Sequence, residues 1–71
     1  MSQVGKVIEL IGSSSVSWED AANQALQKAN ETLANISGIE VTDMTATVDG
    51  GKIVKYKTAI KIVFTVGKDI D

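Results

Sequence analysis

The chain has 71 residues, 44% of them hydrophobic, with 7 Lys and Arg against 9 Asp and Glu, a single Trp, Tyr and Phe, and no Cys, His or Pro. Without Cys or His there is no thiolate or imidazole metal site, no Ser-His-Asp relay and no disulfide framework, so any metal would need hard oxygen ligands. A net charge of −2 and a pI near 4.9 lack the positive field that phosphates or anionic lipids require, so neither nucleic acid nor a membrane surface is an expected partner.

The first segment, Val4 to Ile11, is rich in β-branched residues and is followed by Gly12 and the run Ser13, Ser14, Ser15, which predicts a strand and then a turn. Val7, Glu9 and Ile11 share one side and Ile8 and Leu10 the other, so both faces are expected to be covered. From Ser17 to Ser37 the period becomes helical: Trp18, Ala22, Ala25, Leu26, Ala29, Leu33 and Ile36 recur every three or four residues. Ser17 is the predicted N-cap, Glu19 and Asp20 complement the helix dipole, and Gly38 stands where a left-handed residue would end the helix. The mostly alanine seam lets this helix lie close to whatever it covers.

A second strand is predicted from Ile39 to Val48. Its apolar residues occupy odd positions first (Ile39, Val41) and even positions later (Met44, Ala46, Val48), and this change of parity near Thr42 and Asp43 predicts a β-bulge. Asp49-Gly50-Gly51-Lys52 reads as a tight hairpin turn. In the third strand Val54, Tyr56, Ile60, Ile62, Phe64 and Val66 form one face, and Lys55, Lys57 and Lys61 with Ala59 and Thr65 form the other.

Connection rules then set the topology. A helical crossover leaves strands one and two parallel, a hairpin leaves two and three antiparallel, and placing strand three in the middle satisfies both. The fold class is α+β: a β-α-β-β chain with a three-stranded antiparallel sheet of order 1-3-2, one helix on one face, and one domain over residues 1–71. A chain this short buries only ~60% of its unfolded surface. One alanine-rich helix cannot cover a long bent sheet with two open edges, so partner subunits are expected. No apolar run approaches the ~20 residues of a membrane helix, and a soluble cytoplasmic protein is the expectation.

The stretch Val7-Ile8-Glu9-Leu10-Ile11-Gly12-Ser13-Ser14, then Ser17-Trp18-Glu19-Asp20-Ala21-Ala22, Ala25-Leu26, Ala29 and Thr32-Leu33, then Glu40-Val41, Tyr56 and Phe64, resembles the dodecin family. The resemblance runs without gaps from about Val7 to Val66. It implies a hollow homododecamer that binds or stores a small ligand, flavin in typical members, without catalytic turnover. It also implies that the flavin contacts fall at Gly38, where typical members carry a stacking tryptophan, and at Lys57, where they carry a glutamine. Gly38 offers no aromatic plane and Lys57 donates but cannot accept, so flavin binding is expected to be weakened or lost. The alternatives are a flavin-storing dodecin, or a calcium-binding or purely structural assembly resembling the subgroup without the stacking tryptophan. Oxygen ligands for calcium are available at Glu9, Glu19, Asp20, Glu40, Asp43, Asp49, Asp69 and Asp71, but none forms an EF-hand loop, so a site would be assembled between chains.

Each of these residues also has a plainer reading. Gly38 serves as a helix stop, the lysine row as a solvated strand face that discourages edge pairing, Trp18 as a packing or subunit-contact residue, and Glu19 and Asp20 as partners of the helix dipole. Gly12 to Ser17 lacks the Gly-Lys-Ser/Thr ending of a phosphate-binding loop. No catalytic residue is expected.

Overall fold

The computed structural model describes residues 4–66. Strand β1 (Val4–Ser14) is followed by helix α1 (Trp18–Asn30) and by the long strands β2 (Ile36–Asp49) and β3 (Lys52–Val66). The sheet order is β1-β3-β2 with both pairs antiparallel, which is the predicted topology.

The helix begins where the sequence places it. Ser17 is extended and its Oγ accepts the backbone N–H of Asp20 at 2.9 Å, while Ala21 N donates to the Ser17 carbonyl. The end differs from expectation: α1 stops at Asn30, not near Ser37. Glu31 N donates to the Lys28 carbonyl, and the N–H groups of Thr32 and Leu33 both donate to the Ala29 carbonyl, which tightens and closes the last turn. The left-handed residue is Asn35, at φ 61°, and Gly38 lies inside β2 without a positive φ. Asn tolerates that conformation because its short polar side chain costs little there. Leu33 and Ile36 kept the helical spacing alive because they pack on the same core from a non-helical backbone.

Strand β1 also runs on past its predicted end, through Gly12, Ser13 and Ser14. Gly12 is buried, and a Cβ there would collide with the carbonyl of Ala21 and press on Ala25. Helix and strand therefore meet backbone to backbone, which the alanines at 21, 22, 25 and 29 make possible. Beneath them Ile60 and Ile62 are fully buried, joined by the partly buried Ile8, Leu10, Leu33, Ile36 and Phe64. The expected cover over both faces of β1 is not supplied by the chain itself: Val7 and Ile11 are exposed on the side away from the helix.

Strand β2 contains the predicted bulge, a register shift between Val41 and Asp43 that leaves Thr42 unpaired, and a second one between Ile36 and Gly38 that leaves Ser37 unpaired. Each bulged residue carries a hydroxyl that donates to a β3 carbonyl at 3.3 Å, Thr42 to Ala59 and Ser37 to Val63. The hairpin closes through Gly50 and Gly51, both at positive φ as a type I′ turn requires.

Candidate functional site

Two surfaces carry the residues that sequence reasoning marks. On the helix side, α1 sits over β1 and β3 and leaves β2 bare. The result is a groove of about 340 Å³ between the first half of α1 and β2, floored by Trp18, Ala22, Ile39, Val41, Met44 and Thr58, with Glu19 and Asn23 at its rim. The bulge makes this floor continuous, because it returns Met44 to the face that Ile39 and Val41 occupy.

Trp18 forms one wall and is fixed from three directions. Its indole Nε1 donates to the Thr45 carbonyl at 2.8 Å, its ring meets Tyr56 edge-on at 4.8 Å between centroids, and its carbonyl accepts from Thr58 Oγ1 at 2.8 Å. The packing role expected of it holds. Thr58 is the residue that sequence reasoning missed; its signal was a small hydroxyl side chain on the face of β3 that otherwise carries the large Tyr56, Ile60, Ile62 and Phe64. Just outside the helix start, Ser14 Oγ donates to Asp20 Oδ2 at 2.6 Å and accepts from Val16 N at 2.9 Å, so Asp20 is already engaged.

The opposite, helix-free face holds Gly38 and Lys57. Strand alternation places them there, since Ile60 and Ile62 point under the helix and Lys57, Lys61 and Val63 point away. Gly38 lies opposite Val63, whereas Lys57 lies between Ser13 on β1 and Thr45 on β2. At ~3.3 Å per residue the two levels are about 20 Å apart, so within one chain Gly38 and Lys57 do not converge on a common point. The space around Gly38 is open, with no atom within 4 Å of a Cβ built there.

The same face carries a charged row in which Lys61 is flanked by Glu9 and Glu40, near enough for cross-strand attraction. The one ion pair within 4 Å among the described residues is elsewhere, between Lys28 and Glu31 at 3.4 Å on the helix surface. The remaining acids are scattered: Glu19 and Asp20 at the helix start, Asp43 beside the bulge with its carboxylate accepting Met44 N, and Asp49 at the turn. Asp69 and Asp71, like the side chain of Val66, lie outside the described residues. Among those described, no three acids gather closely enough to hold an ion, and no helix is long and apolar enough to cross a membrane.

A short β-α-β-β chain whose bent sheet is only half covered by an alanine-faced helix defines a narrow class of small α+β proteins. The family model described as Dodecin matches residues 4–67, and the chain belongs to the dodecin family. It is 34% identical over 61 residues to the calcium dodecin of Mycobacterium tuberculosis, covering 86% of each chain, and 30% identical over 64 residues to the dodecin of Thermus thermophilus, covering 90% of this chain and 93% of that one. Among solved structures, a single-substitution variant of Thermus thermophilus dodecin superposes with a TM-score of 0.89 at 27% identity, over 94% of this chain and all of that one. The Mycobacterium tuberculosis calcium dodecin, described as a calcium-chelating antigen with a novel calcium-binding site, gives 0.78 at 35% identity, over 96% and 97%.

Proposed function

We propose that this chain, as one dodecin domain over residues 1–71, is a non-enzymatic cytoplasmic protein that assembles into a hollow homododecamer and holds a small ligand, with flavin binding weakened or lost. One observation carries the assembly. Ile39, Val41 and Met44 are between 40% and 54% exposed, and Val48, Ile53 and Val54 between 47% and 63%, so six large apolar side chains of the β2–β3 hairpin are only about half covered within the chain. Covering each is worth roughly 1 kcal/mol, since full burial of such a side chain contributes ~1.5–3 kcal/mol, and copies of the chain are the available cover. Size-exclusion chromatography with light scattering tests this. A dodecamer mass at micromolar concentration is expected, and a stable monomer or dimer overturns it.

The weakened flavin site rests on Gly38 and Lys57. Their separation means that a flavin touching both positions would bridge two subunits, where Gly38 supplies no ring to stack on it. Riboflavin titration is expected to give little fluorescence quenching, and Gly38→Trp, whose Cβ has no atom within 4 Å, is expected to increase it. Strong quenching by the unsubstituted protein points instead to a flavin-storing dodecin.

Calcium is the second reading, favoured by the 34% identity to the calcium dodecin. The scattered acids mean that its ligands would come from more than one copy. Binding to the assembled protein alone stabilises it by mass action, by about 2.7 kcal/mol at a hundredfold excess over Kd. A melting midpoint that is the same with calcium and with chelator removes this reading.

A further inference from the structure

We infer that the free end of the β2–β3 hairpin of one copy seats in the groove between α1 and β2 of another, as a one-way contact in which every chain gives one hairpin and receives one. This rests on the self-assembly proposed above and specifies which surfaces meet. Strand β1 pairs with β3 only as far as Tyr56, and Trp18 closes the helix side at that same level. The remaining ribbon, Thr47 to Lys55, is two strands without a third, and its ladder extends about 10 Å farther at ~3.3 Å per residue. A two-stranded ribbon is marginal alone, yet this one displays Val48, Ile53 and Val54, is bent by a register shift between Thr47 and Val48 that leaves Val54 unpaired, and is closed by a tight glycine turn.

The groove supplies what the ribbon lacks. It is a concave apolar surface of about 340 Å³ on the same chain, in one-to-one stoichiometry with the ribbon. Its rim bears Glu19, which has no ion-pair partner among the described residues, and the ribbon carries Lys52 and Lys55 against the single acid Asp49, a net positive charge beside its aliphatic residues. The charges are therefore opposite where the edges would meet. Ribbon and groove of one chain cannot satisfy each other, because the ribbon points away from Val41 along the same strands. A contact between two unlike patches is heterologous and closes only by rotation into a ring, which leaves no ribbon unseated and no groove empty.

The chain has no cysteine, so introduced thiols report cleanly. Ile53→Cys combined with Val41→Cys places one thiol on the ribbon and one in the groove. Val41 pairs with Ile60, seven positions from Ile53, or about 23 Å at ~3.3 Å per residue, so no disulfide forms within a chain. Under mild thiol oxidation this variant is expected to give a ladder of covalent oligomers several-fold more abundant than Ile53→Cys combined with Val7→Cys, whose second thiol lies on the helix-free face. An assembled variant without that excess overturns the inference and leaves the assembly standing; a monomeric unsubstituted chain overturns both. Should the double-cysteine variant not assemble, the single tryptophan decides. Acrylamide quenching of Trp18 is expected to rise several-fold in Ile53→Lys, and a rise no larger than in Val7→Lys overturns the inference.

Discussion

The two ends of the sheet solve the burial problem in opposite ways. Where β1 and β3 lie under α1, contact is made with the smallest side chains available: four alanines rest on Gly12, Ile60 and Ile62, and the backbones nearly touch. Where β2 and β3 run on together, the side chains are large and apolar and nothing within the chain lies over them. One end is a finished core and the other is half of a core. The difference teaches that hydrophobic content alone does not locate the interior of a small chain; the size of the facing residues does, because a close helix needs small ones and a face the chain leaves open keeps large ones.

Substitutions at the finished end should be felt most. Gly12→Val drives a side chain into the Ala21 carbonyl, and since a backbone atom cannot swing aside, a loss of about 3 kcal/mol or more is expected from denaturant unfolding at fixed protein concentration. Gly38→Ala, with open space around it, should stay within about 0.5 kcal/mol of the parent; equal effects at the two glycines would erase the contrast. Ile60→Ala, which leaves a cavity under the helix, should cost roughly 3 kcal/mol, whereas Met44→Gln should spare the fold of the subunit and reduce the mass seen by light scattering. Trp18→Phe keeps most of the ring but forfeits the bond to the Thr45 carbonyl, for about 1 kcal/mol in thermal or denaturant melts. At the small end of the scale, Lys28→Ala breaks an exposed pair and should leave the melting curve unchanged.

Much of this was legible in the chain because local chemistry and tertiary packing agreed. Ser17 capped the helix, Gly50 and Gly51 made the turn, the parity change announced the bulge at Thr42, and connection rules alone gave the order β1-β3-β2. The helix end was not legible. Leu33 and Ile36 stay on the helical beat after the helix has stopped at Asn30, and the left-handed residue that follows is Asn35, while the more conspicuous Gly38 serves as an ordinary strand residue. Gly12 looked like a turn residue because it precedes three serines, although its reason for being glycine lies in the helix above it. Of the site, Trp18 and Met44 could be named from spacing, but the groove needs to know how far α1 falls short of β2, and no periodicity encodes that distance. The 20 Å between the levels of Gly38 and Lys57 was hidden for a similar reason: both positions look alike from a sequence pattern, and register alone separates them.

The bulge at Thr42 has a consequence for how this chain can vary. Its hydroxyl answers the Ala59 carbonyl while its backbone adds a half-step to β2, so everything from Asp43 to the turn inherits its orientation from a single inserted unit. Removing Thr42 would change no other letter, yet it would turn Met44, Ala46 and Val48 to the side now held by Asp43, Thr45 and Thr47, and send those polar residues toward Trp18. Chain length at this one point thus acts as an inside-out switch for half of β2, and relatives that differ here by one residue would present a different skin from nearly the same alphabet.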